Sequence, residues 1–301
     1  MNNIFKISVA MCTFNGAKFI DEQLQSIIDQ DYPIYEIIVV DDLSTDATFQ
    51  ILERWREKFP KLFKLFRNEI NLGFNKNFEK AFSLCSGDLI SIADQDDIWM
   101  PDKFKCLAPL FTQENVMLAH GASLTLKNGK LHHFSGQLKR YHLFEGSDSR
   151  KLMLFNQISG HNMIFRRSIL QKALPIPKEM YYDWWLAIQA TAQGTVKSYN
   201  KYLVHHRKHS DNSFFGEKRK KIELSDLERL DYFQTIDSLG EKTISFILSI
   251  KEHLLNRKKN TQQSNLPYFK FLFKHRGIIF GHKKRIFPLF THLTDSVKYS
   301  K

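Results

Sequence analysis

Three carboxylates stand within four residues at Asp94-Gln95-Asp96-Asp97. They follow Gly87-Asp88 and the apolar run Leu89, Ile90, Ile92 and Ala93, the pattern of a buried strand. Carboxylates brought together repel one another and are costly to desolvate. A strand that delivers Asp94, Asp96 and Asp97 to one edge of a sheet therefore makes a candidate site for a hard divalent cation. The other reading of the same residues is a solvated acidic turn that closes the strand. Two more polar clusters end strand-like runs: Thr13-Phe14-Asn15-Gly16 after Ile4–Met11, and Asp41-Asp42 after Tyr35–Val40.

The elements that position these clusters alternate in type. Ile20, Leu24, Ile27 and Ile28 recur at helical spacing after the Asn15-Gly16 turn signal, ending near Tyr32-Pro33. Ser44-Thr45-Asp46 offers N-cap chemistry to a helix carrying Ile51, Leu52 and Trp55. Phe63–Phe66 is a third strand, and a helix through Phe78, Ala81, Phe82 and Cys85 leads to the strand before Asp94. Strand and helix in alternation predict an α/β fold with a parallel sheet and right-handed crossovers. All three polar clusters then lie at the carboxyl edge, where open α/β sheets bind ligands. Carboxylates and amides suit a nucleobase and a ribose, and a carboxylate-held cation suits a diphosphate. The inferred ligand is a nucleoside diphosphate. Neither GxxxxGK[ST] nor GxGxxG occurs, which argues against a P-loop or a dinucleotide site.

Beyond Trp99-Met100-Pro101 the rhythm changes. A short helix at Phe104–Leu110 precedes Val116–Leu126, Asn128-Gly129 and Lys130–Phe134, which read as a β-hairpin. A helix near Lys151–Phe155, a strand near Met163–Phe165 and a loop at Pro175-Ile176-Pro177 follow. Tyr181-Tyr182-Asp183-Trp184-Trp185 opens a helix that runs to Gln193-Gly194. A short strand, Val196–Tyr199, leads to Leu203-Val204-His205-His206-Arg207-Lys208-His209, and the chain beyond about Phe215 is helical and finally basic.

The chain is long enough for one large domain with an extension, or for two domains, with 43% apolar and 25% charged residues among its 301. Cys12, Cys85 and Cys106 are too few and scattered for a disulfide framework or a zinc site, and suggest a reducing compartment. No apolar run approaches a membrane span, and no signal peptide is expected. The formal net charge of +12 is uneven. Residues 242–301 hold 13 Lys/Arg against Glu252 and Asp295, whereas residues 1–241 are near neutral.

In order along the chain, Thr13-Phe14-Asn15-Gly16, Glu22-Gln23-Leu24 with Ser26-Ile27 and Gln30, Val39–Asp46, Asn71-Leu72-Gly73, Ser86-Gly87-Asp88 and Asp94–Trp99 resemble the N-terminal half of glycosyltransferase family 2. The similarity spans roughly residues 4–215 and is nearest in flavour to rhamnosyltransferase-like members of bacterial surface-polysaccharide clusters. It implies an inverting enzyme of the GT-A fold, with a Rossmann-like, mostly parallel sheet and flanking helices. Residues 1–215 would form the catalytic domain and 216–301 a helical, basic C-terminal extension. It further implies a dTDP- or UDP-sugar donor, Asp94-x-Asp96 as a DxD site for Mn²⁺ or Mg²⁺, and nucleoside contacts from Thr13, Asn15 and Asp42. Asp41 would stand behind Asp42.

Inversion requires a base on the acceptor hydroxyl. Asp183 resembles the family's base position; an N-cap is its other reading. Trp184 and Trp185 would offer a stacking face to an acceptor sugar, or pack in the core. Arg207-Lys208-His209 with Asn212 resembles an Arg-x-His-x-x-Asn element of many relatives. Arg207 would fork onto diphosphate oxygens and His209 ligate the cation or a phosphate; the alternative is a solvated basic loop. His161 would line the acceptor pocket. Asp97 either joins the cation site or caps the next turn.

In the tail, Arg257-Lys258-Lys259 and Lys283-Lys284-Arg285 interleave with Phe269, Phe271, Leu272, Phe273, Ile278, Ile279, Phe280, Phe287, Leu289 and Phe290. That mixture suits docking on an anionic membrane, where a glycan or lipid-linked acceptor would be carried. A solvated hairpin packed on the catalytic domain or on a second subunit is the competing reading. No nucleic-acid recognition module is legible. The expected enzyme is thus cytoplasmic and peripheral at the inner membrane face. The alternative function is a non-catalytic nucleotide-sugar or glycan-binding module.

Overall fold

The continuous apolar strands of the first half serve two cores at once. In the computed structural model, residues 4–133, 136–209, 225–259, 266–284 and 288–300 are described. β1 (Ile7–Thr13), β2 (Glu36–Asp41) and β4 (Leu89–Ala93) are almost wholly buried. Val9 and Met11 face one core with Ile37 and Val39, while Ala10 faces the other with Ile38 and Val40. Period-two alternation between two apolar faces is what a sheet covered on both sides demands.

The first cover is α1 (Ile20–Ile28) and α2 (Thr48–Lys58), through Ile20, Leu24, Ile27, Leu52 and Trp55. The expected N-cap of α2 is made differently: Asp46 Oδ1 accepts the Thr48 N–H at 2.9 Å, and Ala47 occupies the cap position. On the other face lies α3 (Phe74–Leu84), through Phe78, Ala81 and Phe82. With β3 (Phe63–Arg67) these strands pair in parallel in the order β3-β2-β1-β4, as the alternation predicts.

The sheet then changes direction. β5 (Ile98–Trp99), α4 (Lys103–Leu107), β6 (Val116–Lys127), β7 (Lys130–Leu131) and α5 (Gln137–Arg140) follow. Next come β8 (Met163–Arg166), α6 (Leu170–Ala173), α7 (Tyr182–Gln193) and β9 (Thr195–Lys208). β8 runs antiparallel to both β4 and β6, and β6 pairs in parallel with β9. The hairpin turn is as expected, with Asn128 and Gly129 at φ of 51° and 71°. The helix expected near Lys151–Phe155 is a single 3-10 turn over Ser149–Leu152.

The stretch Val196–Lys208 departs further from expectation. It is one strand, not a short strand and a basic loop: β6 pairs with it on both sides of an irregularity at Tyr199–Lys201, setting His120 beside Ser198, Leu124 beside His205 and Lys127 beside Lys208.

α8 (Asp226–Gln234), α9 (Glu241–Lys259), α10 (Leu266–Lys274), α11 (Arg276–Ile279) and α12 (Pro288–Ser300) form the C-terminal region. Leu230, Phe233, Phe246, Ile250, Phe271, Leu272, Ile279 and Phe280 share one core with α7. Four of the apolar residues expected to meet a membrane (Phe271, Leu272, Ile279 and Phe280) are therefore interior. Leu289, from the same expected set, is exposed and stands with Leu293 and Val297 at four-residue spacing on α12; Leu248 and Leu255 on α9 and Leu266 on α10 are exposed as well. Arg285 and Phe287 lie outside the described residues, as do the side chains of Lys258, Lys259 and Phe290.

Candidate active site

Parallel pairing sets Thr13 beside Asp41 and Met11 beside Ala93, so the three polar clusters meet at one edge. The nucleoside side of that edge is tightly self-bonded. Asp41 accepts from Thr13 Oγ1 at 3.0 Å and from the Ser44 N–H at 3.0 Å, with Arg67 Nε 3.4 Å away. Asp42 holds the loop at Asn71-Leu72-Gly73: it accepts the Leu72 and Gly73 N–H groups at 2.8 and 2.9 Å, and Asn68 Nδ2 at 2.7 Å. Asn15, exposed and at a φ of 51°, accepts the Thr45 N–H at 2.8 Å. Thr13 and Asp42, both buried, hold the two loops in place through these bonds. Gln95 ties the same region to the acidic loop, accepting the Phe14 N–H at 2.8 Å and donating to the Phe14 carbonyl at 3.1 Å. Gly16 leaves room for this clamp, because a Cβ would lie 2.3 Å from Gln95 Oε1 and displace the Gln95 side chain.

Across from this framework, the end of β9 and the residue after it bring His206 and His209 onto the acidic loop. His209 Nε2 lies 2.9 Å from Asp96 Oδ2, its ring packed on Phe19 at 4.4 Å between centroids. Burial, then the charges of Asp97 and Asp94, push the Asp96 carboxyl up to about 6, with His209 opposing. Arg207 Nε donates to the Asp96 carbonyl at 2.8 Å, another guanidinium nitrogen pairs with Glu22, and the group lies 4.9 Å from the Phe19 ring. These bonds tie Arg207 to the acidic loop and to α1. Asn212 lies outside the described residues.

Asp97 is fully buried and caps no turn. Its Oδ1 accepts the Arg207 N–H at 3.0 Å and faces His206 Nδ1 at 3.2 Å. Burial alone would raise its pKa, but His161, His206 and the Arg207 N–H outweigh it and hold the group below the ordinary value. His161, expected in an acceptor pocket, stands beside the acidic loop. It is 8% exposed, with Nδ1 3.7 Å from Asp94 Oδ2 and 3.9 Å from Asp97 Oδ2. Its ring stacks on His206, centroids 4.6 Å apart and planes 4° apart. The ligand atoms of Asp97, His161 and His206 lie within 4.8 Å of one another and could hold a metal ion, and His209 meets Asp96 on the same acidic loop.

Asp183 enters from the second residue of α7. One oxygen accepts the Trp184 N–H at 2.7 Å and the other the Gly160 N–H at 3.3 Å. Burial raises its pKa to about 6; the two N–H groups oppose this, Asp94 adds to it and His161 subtracts. A half-buried carboxyl whose pKa is raised to about 6 can exchange a proton near neutral pH. Trp184 and Trp185 do not form a sugar platform. They are 7% and 5% exposed, and their indole N–H groups donate to the Leu152 and Ala173 carbonyls, both at 2.7 Å. An aromatic pair at the start of an inward-packed helix serves the core.

His206 and Lys103 escaped the sequence reading. His206 had a usable signal: alternation along a strand puts it on the face opposite Arg207. The fully buried Lys103 had none, because nothing local marks a lysine that folds inward.

A protein-family model described as glycosyl transferase family 2 matches residues 8–174. An uncharacterized glycosyltransferase of Haemophilus influenzae is 25% identical over 283 residues, covering 88% of this chain and 86% of that protein. The dTDP-rhamnosyl transferase RfbG of Shigella flexneri is 40% identical over 99 residues, 32% of this chain and 34% of its own. Among solved structures, TarS of S. aureus in complex with UDP-GlcNAc superposes with a TM-score of 0.60 at 21% identity, covering 98% of this chain and 82% of TarS. The mannosyltransferase PcManGT of Pyrobaculum calidifontis, in complex with GDP-Man and Mn²⁺, gives 0.61 at 15% identity, covering 99% and 86%. At these identities the structural likeness is one of fold.

Proposed function

The chain belongs to glycosyltransferase family 2, with the GT-A fold, and on that premise we propose an inverting transfer in which Asp183 is the base. The donor is a nucleoside-diphosphate sugar, as in the UDP-GlcNAc and GDP-Man complexes of the two structural neighbours. The partial likeness to a dTDP-rhamnosyl transferase favours rhamnose on dTDP, with a UDP-sugar as the alternative. Thr13, Asn15 and Asp42 frame the nucleoside through the loops they hold.

The observation that carries the reading is the meeting of Asp96 with His209, and of Asp183 with the same edge through Gly160. Two carboxylates and an imidazole fit Mn²⁺ or Mg²⁺, and Asp94, Asp96 and His209 would hold it. A cation there supplies positive charge against the departing diphosphate. The Asp183 carboxylate takes the proton from the acceptor hydroxyl, and that oxygen bonds to the anomeric carbon. The bond from that carbon to the diphosphate oxygen breaks on the opposite face, and the nucleoside diphosphate leaves with the electron pair. Gly160 and Trp184 hold Asp183 in place through their N–H groups.

The acceptor is a surface polysaccharide or lipid-linked glycan, met at the cytoplasmic face of the membrane. Among the described residues no helix is long and apolar enough to cross a membrane. Peripheral docking rests on the exposed Leu289, Leu293 and Val297 stripe and the basic surplus around it. The deciding experiment is thermal stabilisation by a panel of nucleotide sugars with Mn²⁺, since a ligand of the native state raises Tm. Stabilisation by dTDP-rhamnose above UDP-GlcNAc supports the rhamnosyl reading; stabilisation by none, with or without Mn²⁺, removes the donor assignment.

A further inference from the structure

Lys103 is a lysine with no exposed surface. Its Nζ donates one hydrogen bond, to the His161 carbonyl at 2.9 Å, and lies 3.4 Å from the centroid of the Trp99 ring. Burial pushes its pKa well down, with Asp97 and Asp94 opposing. Stability does not explain such a residue: exchanging a buried charged group for an apolar one of similar volume is often neutral or favourable. The bond that Lys103 makes is informative instead.

His161 belongs to the 3-10 turn Gly160–Asn162, which faces two parts of the site. Through the Gly160 N–H it touches Asp183, and through the His161 ring it faces Asp94 and Asp97. The turn has little slack. A Cβ on Gly160 would lie 2.6 Å from Tyr182 Oη, and Tyr182 directly precedes Asp183. Lys103 reaches this turn from α4 and fixes its main chain at His161.

We propose that Lys103 is a positioning residue for the transfer: by holding the His161 carbonyl it sets the distance between the base Asp183 and the cation loop. The inference rests on the reading of Asp183 as the base. Lys103 itself touches neither donor nor acceptor, so its loss alters the geometry of attack and leaves donor binding alone. Misplacement of a catalytic group by about 1 Å costs on the order of 100-fold in rate.

The test compares Lys103→Met, Asp183→Asn and the double variant in the full chain, on whichever nucleotide sugar of the panel the wild type turns over with Mn²⁺. Lys103→Met is expected to lower kcat on the order of 100-fold with donor KM within about twofold, and to keep or raise Tm. In the Asp183→Asn background its further effect shrinks, because residues acting as a unit are not additive. Gly160→Ala, which displaces the same turn by another route, is expected to repeat the kcat-selective loss should Lys103→Met fold poorly. Wild-type kcat in Lys103→Met, a loss carried in KM, or losses that multiply in the double variant would overturn the proposal. Wild-type turnover in Asp183→Asn would instead remove the base reading, an outcome visible without Lys103→Met.

Discussion

His209 Nε2 lies 2.9 Å from Asp96 Oδ2 although 113 residues separate them in the chain. The antiparallel pairing of β9 with β5, Ile98 opposite His205, produces this contact, because it carries the end of β9 back along the loop between β4 and β5. The acidic loop is thereby met by His206, Arg207 and His209.

Asp96→Asn is expected to abolish Mn²⁺-dependent turnover, by on the order of 10²–10³-fold, the range for losing one charge-stabilising group. Tm should not fall, since the change removes a buried carboxylate that Asp97 and Asp94 repel. Calorimetric titration with Mn²⁺ and a melting curve together check this; Mn²⁺ affinity equal to wild type would contradict the cation assignment.

The Asp183 carboxyl, pushed up to about 6, must be ionised to accept a proton. Turnover should therefore rise as pH increases through about 6 and fall about tenfold per pH unit below it. A kcat profile from pH 4.5 to 8 measures the limb. A limb that persists in an active Asp183→Asn enzyme would assign it to another group.

Glu36 predicts a separate, structural acid transition. Burial alone would raise its pKa, but bonds from Lys64, Ser8 and Ser86 outweigh it and bring the group from 4.5 to about 2. A depressed carboxyl stabilises the fold above its unfolded value, and that contribution is lost as pH falls from 4.5 toward 2. It amounts to at most about 3 kcal/mol, discounted for the half-exposed Lys64. Urea unfolding at pH 7 and pH 3 should show a smaller difference in Glu36→Gln than in wild type.

Gly16→Ala places a Cβ 2.3 Å from Gln95 Oε1 and must part the Gln95–Phe14 clamp. Donor KM should rise about tenfold with a smaller change in kcat, as for a lost binding contribution of about 1.4 kcal/mol. An unchanged donor Kd would show that the clamp is irrelevant to the nucleoside side.

For the membrane proposal the tail cannot simply be cut at residue 242, because Phe246, Ile247 and Ile250 belong to the shared core. Replacing Leu289, Leu293 and Val297 by serine leaves that core intact. The triple variant should lose co-sedimentation with phosphatidylglycerol vesicles at unchanged Tm. Retained sedimentation would move the docking surface elsewhere or dismiss it.

The sequence by itself determined the parallel half of the sheet and the edge on which the site lies. Continuous apolar strands and amphipathic helices in alternation allow little else, and Asp41, Asp42, Asp94 and Asp96 mark the strand ends locally. It also brought out Asp183 and His209, through motif order. Tertiary structure decided what each side chain does there. Asp42 turned to the Asn71–Gly73 loop, Arg207 to Asp96 and Glu22, and Trp184 and Trp185 to the core. Periodicity reports the face on which a residue lies, but bonding partners tens of residues away fix where its polar atoms point. His161 and Lys103 make the case most plainly: one became a neighbour of the acidic loop and the other its buried support, through contacts 58 residues apart that no local pattern encodes.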